Sequence, residues 1–385
     1  MRDLVAELAN MERQGLQRQR RLLDSAQGTH VQTDGRDYLS FCSNDYLGLA
    51  ADPRIAQAAV ESIRLVGLGA GASHLVSGHH RLHHNLEAAL AVFAGMPRAL
   101  LFSCGYLANL AVVTVLAGRS SDVFADRLNH ASLNDAMILS RATCKRYPHR
   151  DMVALESFLS RSLATDKIVV TDAVFSMDGD IAPLPDIARL CERHHAWLVV
   201  DDAHGFGVLG ENGRGALAHF GLESPHIAYV GTLGKAAGVS GAFVAGSEQL
   251  IEMLIQRARA YIYTTASPPS LAAALMKSIE IMQAEEWRRQ RLAELCVRVS
   301  LGLKLRRWRL LPSQTAIQPL IVGENSEAMA LSVMLAKSGI LVPAIRPPTV
   351  PKGTARLRIS LSAAHTEVDV DRLIEALCRA ELSFR

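Results

Sequence analysis

Val199-Val200-Asp201-Asp202-Ala203-His204-Gly205 closes a hydrophobic run that begins at Trp197. A short apolar segment ending on an acid and, three residues later, a histidine reads as a buried strand that delivers polar groups to a sheet edge. The same pattern repeats on either side of it. Residues 99–102, 122–125, 168–171, 227–230 and 242–245 are further short apolar runs, separated by helical stretches, and several end at polar or glycine residues. Such runs fit parallel strands buried on both faces by crossover helices. The chain is therefore predicted to be α/β, with ligands bound beyond the carboxyl ends of its strands.

A chain of 385 residues is longer than one core usually supports, so a large domain and a smaller one are expected. The predicted division is an N-terminal helical segment and arm at 1–44, a large domain at 45–267 and a small α+β domain at 268–385. The first 21 residues or so are Arg-rich, and Leu4, Leu8, Met11 and Leu16 could share a helical face. Asp34-Gly35-Arg36-Asp37 reads as a turn. Residues 270–305 read as one long helix. The tail reads as strands at 317–322, 341–345 and 357–361, with helices near 327–337 and 368–382.

Lys and Arg number 41 against 38 Asp and Glu, a net charge of +3 that gives no reason to expect nucleic acid or an anionic membrane. Cys42, Cys104, Cys144, Cys191, Cys296 and Cys378 form no CxxC pair, which suits reduced thiols in the cytoplasm. The first twenty residues are charged and lack the apolar core of a secretory signal. Residues 99–118 carry no charge and are nearly long enough to cross a bilayer. Ser103, Gly105 and Asn109 interrupt them, so the segment reads as strand, turn and helix.

Three signals carry chemistry. Val230-Gly231-Thr232-Leu233-Gly234-Lys235-Ala236-Ala237-Gly238 places a lysine among small residues at a strand end, where burial would turn it into an amine nucleophile. It is not a phosphate-binding Walker loop, because Ala236 stands where Ser or Thr is required. Lys235 and Asp201 end neighbouring predicted strands, and together they match what pyridoxal phosphate needs: an amine for the Schiff base and an acid for the ring nitrogen. Ser103-Cys104-Gly105-Tyr106 opens a helix after a strand and offers amides to a phosphate. In Asn129-His130-Ala131-Ser132, which also follows a strand, the imidazole could stack on a cofactor ring. Taken singly, each has a plainer reading as a capping residue or a surface lysine.

The sequence resembles the α-oxoamine synthase family of pyridoxal-phosphate enzymes, which have the aminotransferase-like fold. The resemblance covers almost the whole chain. It rests on Ser43-Asn44-Asp45-Tyr46-Leu47-Gly48-Leu49, on Asp172-Ala173-Val174-Phe175-Ser176-Met177-Asp178-Gly179-Asp180, on Asp201-Asp202-Ala203-His204-Gly205 and on Gly231-Thr232-Leu233-Gly234-Lys235. It implies that Lys235 forms the Schiff base and moves the substrate α-proton, that Asp201 faces the pyridinium nitrogen and that His204 bonds the ring oxygen. It also implies that His130 stacks on the ring, that Ser176 lies beside it, and that Gly105, Tyr106 and Thr232 hold the phosphate. Arg358 matches the residue for the amino-acid carboxylate, which a bidentate guanidinium suits. Asn44 belongs to the same substrate-binding set, and Thr349 and Arg20 match acyl-substrate positions. The family builds its sites at a subunit interface, which implies a homodimer. One departure is Thr-Leu-Gly-Lys, where an aromatic residue often precedes the glycine.

Two stretches refine the reading: Ala316-Ile317-Gln318-Pro319-Leu320-Ile321-Val322-Gly323, and Ala344-Ile345-Arg346-Pro347-Pro348-Thr349-Val350-Pro351 with the following 353–358. Within the family they imply condensation of L-alanine with a pimeloyl thioester, carried by CoA or a carrier protein. Glycine or another acyl-CoA is the alternative. A third reading, from another class, is a non-catalytic zinc-binding protein. Between Ser73 and His84, His79/His83 and His80/His84 have i,i+4 spacing, but the Glu of a zinc-protease motif is missing and no cysteine is near. A helix start after Ser77-Gly78 is the preferred reading, with no metal. Gly67-Leu68-Gly69-Ala70-Gly71 follows a helical pattern, not a strand, so it is not a dinucleotide loop.

Overall fold

The computed structural model describes residues 2–14, 16–18 and 20–384. Its centre is a seven-stranded sheet with the spatial order Arg98–Phe102, Ala242–Gly246, Ile227–Thr232, Ala196–Asp201, Asp166–Asp172, Ser121–Asp126, Thr143–Tyr147. The Ala242–Gly246 strand runs antiparallel to both neighbours, and every other pair is parallel. All six apolar runs are strands of this sheet. Both of its faces are buried: Phe124, Leu198, Val200 and Phe243 pack into one core, while Val123, Val199, Val230 and Val244 pack into the other. That is why the runs lack alternation. The seventh strand, Thr143–Tyr147, was not legible as one. It lies at the sheet edge, where only Tyr147 is fully buried and Lys145 and Arg146 are tolerated.

Register sets the site. Asp172 pairs with Asp201, and Asp201 with Val230, so the strands end together and their polar residues meet at one edge.

The C-terminal region adds an antiparallel sheet ordered Arg309–Leu310, Ile317–Gly323, Ala355–Ser360, Ala344–Ile345, with helices Asn325–Lys337 and Glu367–Ser383. The predicted strand at 341–345 is two short strands. Ile340–Leu341 pairs in parallel with Arg36–Ser40, whereas Ala344–Ile345 pairs with Ala355–Ser360. Pro343 stands between them and has no N–H to continue a ladder. The third sheet thus ties the N-terminal hairpin His30–Thr33/Arg36–Ser40 to the C-terminal region. Its turn is Asp34-Gly35, both at positive φ, the geometry that suits a two-residue hairpin.

Two helical expectations are corrected. The long helix at 270–305 is two helices, Pro269–Ala284 and Trp287–Gly302. At the corner between them Glu285 binds Arg54 at 2.5 Å and Arg288 at 2.8 Å. The N-terminal helix spans only Leu4–Arg13 and buries no residue; Leu4 is 63% exposed and Leu8 56%. Within the one chain these ten residues gain little beyond propensity. Among the described residues no helix is long and apolar enough to cross a membrane. Residues 105–116 form a helix after a strand.

Candidate active site

A cavity of about 200 Å3 opens at the carboxyl edge of the large sheet. Gly105, Tyr106, His130, Ser176, Asp201, His204, Thr232 and Lys235 all line it, with Asn109, Ser132 and Asp172. Residues from five separate loops therefore converge because one sheet edge carries them all.

Asp201 is buried at its strand end, where Asn109 Nδ2 donates to its Oδ2 at 2.6 Å and the Ala203 amide to its Oδ1 at 3.0 Å. The two hydrogen bonds fix the direction of the carboxylate. Its neighbour Asp202 points elsewhere. Tyr229 Oη and the Ala216 amide donate to it, at 2.8 and 2.6 Å, and burial raises its pKa to about 7. One of the adjacent acids faces the cavity and the other holds the loop.

Lys235 Nζ lies 2.9 Å from His204 Nε2, and His204 Nδ1 lies 2.6 Å from Tyr46 Oη. Burial lowers the lysine pKa to about 8, although Asp201 and Asp172 work to hold it up. Burial pulls the His204 imidazole well below its ordinary value, and Lys235 and Arg358 add to the effect. The proton order follows from the acceptors. Asn44 Oδ1 can only accept, so the Tyr46 hydroxyl donates to it at 3.1 Å. His204 Nδ1 then donates to Tyr46 and leaves Nε2 as acceptor for the lysine.

His130 is placed by its backbone: its amide donates to both oxygens of Asp172, at 3.2 and 3.1 Å. Its Nδ1 is 2.7 Å from Ser132 Oγ, which also accepts from Asn109. Burial lowers the pKa of His130, against the pull of Asp201. Burial, with Asp201 nearby, raises the Asp172 pKa well above the carboxylate range.

Arg358 approaches from the C-terminal sheet. It is buried and donates to Ser176 O at 2.6 Å, Ser360 Oγ at 2.7 Å and Asn44 Oδ1 at 3.1 Å. All these partners are neutral. Arg356, two residues away on the same strand, is instead paired with Asp178 at 2.7 Å. Among the described residues no carboxylate pairs with Arg358, so its charge is open to an anionic ligand.

The residues fit pyridoxal phosphate. The Gly105–Leu116 helix begins at Cys104, whose side chain caps nothing, so its first amides are free to receive a phosphate. A Cβ on Gly105 would sit 2.8 Å from Thr232 Oγ1, so a side chain there would crowd the cradle unless Thr232 moved. Asp201 offers a carboxylate and Lys235 an amine, the two groups that pyridoxal phosphate needs.

The model for class I and II aminotransferases matches residues 36–377. The chain is 58% identical to an 8-amino-7-oxononanoate synthase of Herminiimonas arsenicoxydans, over 98% of this chain and 99% of that one. The chain belongs to the 8-amino-7-oxononanoate synthase family. Among solved structures it is similar to a serine palmitoyltransferase carrying pyridoxal phosphate, with a TM-score of 0.94, 31% identity and 99% of each chain covered. It is also similar to the 8-amino-7-oxononanoate synthase of Francisella tularensis, with a TM-score of 0.78 and 30% identity, covering 90% of this chain and 99% of that one.

Four of the residues singled out from sequence do not line the cavity: Asn44 and Arg358, which bond each other, and Thr349 and Arg20. Thr349 is exposed on a turn where its amide donates to Arg346 O, and Arg20 is exposed. The resemblance alone matched both to an acyl substrate. Sequence reading gave no role to Asn109, Ser132, Asp172 or Tyr46. Asn109 carried a usable signal: it is a polar residue one helical turn after Gly105 in an otherwise apolar helix, and it is fully buried.

Proposed function

We propose that the chain condenses L-alanine with pimeloyl-CoA, or with a pimeloyl carrier protein, to give 8-amino-7-oxononanoate, carbon dioxide and the free thiol, in biotin biosynthesis. The observation that carries this reading is near-full-length identity of 58% to a synthase of that name, joined to a cavity that keeps Lys235, Asp201 and His204 together. The cofactor is pyridoxal 5′-phosphate. When bound, it supplies an electron sink for charge developing at the substrate α-carbon.

The chain's own residues supply the rest. Lys235 anchors the cofactor, and its Nζ, with a pKa near 8, accepts the α-proton of L-alanine. His204 and Tyr46 orient that amine. Asp201, steadied by Asn109, would hold a proton on the ring nitrogen of the bound cofactor. Arg358 binds the alanine carboxylate, and His130 walls the cavity on the ring face. Gly105, Tyr106 and Thr232 would hold the phosphate, and Ser176 would lie beside the cofactor. In the balance of bonds, the α-carbon joins the pimeloyl carbonyl carbon and the thioester C–S bond breaks. The carboxylate then leaves as carbon dioxide and a proton replaces it.

Arg20 and Thr349 belong to this reading as acyl-substrate residues, and so does the division at 44 and 267. A cytoplasmic homodimer is part of it as well. Six free cysteines support a reducing compartment, and the exposed apolar face of Leu4–Arg13 supports an assembly that covers it. Release of CoA thiol from pimeloyl-CoA, dependent on L-alanine, is the test. If glycine replaces alanine without loss of rate, the substrate pair is wrong.

A further inference from the structure

Outside this cavity the structure gathers three of the five imidazoles between Ser73 and His84. The His79/His83 pair foreseen from spacing does meet, but the third member is His74, nine residues before His83. One ligand atom from each lies within 4.8 Å of the other two. His80 instead caps the Arg81–Ala94 helix, and His84 is exposed.

The fold places these rings by separate devices. A five-residue π-helix, His74–Gly78, turns the chain so that His74 Nδ1 lies 2.9 Å from His79 Nδ1. Only glycine permits the turn at 78, since a Cβ there would lie 2.0 Å from the Ala72 carbonyl oxygen. His74 stacks on Tyr261 with ring centroids 5.0 Å apart. His83 is buried, and its Nε2 is 2.8 Å from the Ser267 carbonyl oxygen, to which it donates.

We propose that His74, His79 and His83 form a binding site for a divalent ion of the zinc class, completed by a water. Three imidazoles and an open fourth position are a recognised zinc arrangement. Histidine ligands commonly donate the second ring N–H to a carbonyl or a carboxylate, and two of the three have such a group at hand. Ser267 O plays this part for His83. Glu87 Oε2, 3.9 Å from His79 Nε2, is placed to play it for His79. Burial lowers the pKa of all three histidines, His74 to about 4, and neighbouring imidazoles add to it. Coordination takes the His83 Nδ1 lone pair that now accepts the His80 amide. It also draws the three atoms toward the ~3.3 Å separation set by Zn–N bonds of about 2.0–2.1 Å in a tetrahedron. His79 is exposed, so an ion has a path in. The site lies behind the lysine-bearing loop, for His74 and His83 line a small cavity with Leu233, Ser240 and Gly241. This inference does not depend on which substrates the enzyme takes.

The test is equilibrium dialysis of the full-length holoenzyme, first stripped of metal, against zinc chloride. We expect one ion per chain. His79→Ala, a change at an exposed residue, should weaken binding at least about tenfold, and His74→Ala should do the same. The Cys104→Ser/Cys144→Ser variant, which lacks the two exposed thiols, should bind as before. X-ray absorption should show nitrogen and oxygen at about 2.0 Å. No binding, unchanged affinity in His79→Ala, loss of the ion in the thiol variant, or sulfur neighbours at about 2.3 Å would each overturn the proposal.

Discussion

Lys235 Nζ and His204 Nε2 are 2.9 Å apart, and the lysine donates. The chain of acceptors through Tyr46 to Asn44 requires that direction. The imidazole is neutral because burial and the lysine's own charge disfavour its protonation. The amine that must act as nucleophile and base is therefore held by a neutral acceptor that does not compete for its proton.

The pH dependence of cofactor loading follows. Only the neutral amine attacks a carbonyl, and the Lys235 pKa is lowered to about 8. Loading of pyridoxal phosphate onto cofactor-free protein should speed up as pH rises toward 8 and level off above it. Stopped-flow absorbance of the Schiff base reads this directly. A rate still climbing near pH 10, as for an exposed lysine, would contradict the assignment.

Asn109→Ala removes the 2.6 Å donor to Asp201. A hydrogen bond to a buried charged group contributes about 1.5–3 kcal/mol. Cofactor affinity should therefore fall roughly tenfold to hundredfold, with far-UV circular dichroism unchanged. Titration by absorbance measures it, and affinity equal to the parent's would remove Asn109 from the site.

Gly105→Ala should weaken phosphate-dependent binding, because the new methyl meets Thr232 Oγ1 at 2.8 Å. Adding Thr232→Ala removes the clashing atom and should recover part of the affinity. Equal affinity in the single and double variants would show that this contact does not shape the cradle.

Arg358→Lys should raise the KM for L-alanine by about tenfold or more while the bound cofactor keeps its spectrum. A lysine loses the planar fork that binds a carboxylate through two bonds. Arg356→Ala, which breaks the pair with Asp178, should lower thermal stability instead. If the two variants affect alanine binding alike, the contrast between neutral and charged partners has no functional meaning.

The parts of the fold legible in sequence are those where burial is two-sided. The six runs from 99–102 to 242–245 needed only hydrophobicity to be seen. The edge strand Thr143–Tyr147 has one buried side chain and so left no run. Pro343 was visible, yet its effect depends on two different partner strands, and pairing is not written in local pattern. The polar lining of the cavity was legible because strand ends carry it. The residues that aim it were not: Asn109, Ser132 and Tyr46 act through partners 23 to 158 positions away. His74 lay in the histidine-rich stretch but in neither spaced pair, since a π-turn and not helical spacing brings it to His83.

The most direct test of the central claim is thiol release from pimeloyl-CoA by purified holoenzyme with L-alanine, run beside Lys235→Ala. The account predicts release that requires both alanine and Lys235, with carbon dioxide formed in equal amount. Absence of release from folded, cofactor-bearing protein, or release that persists without Lys235, would contradict it.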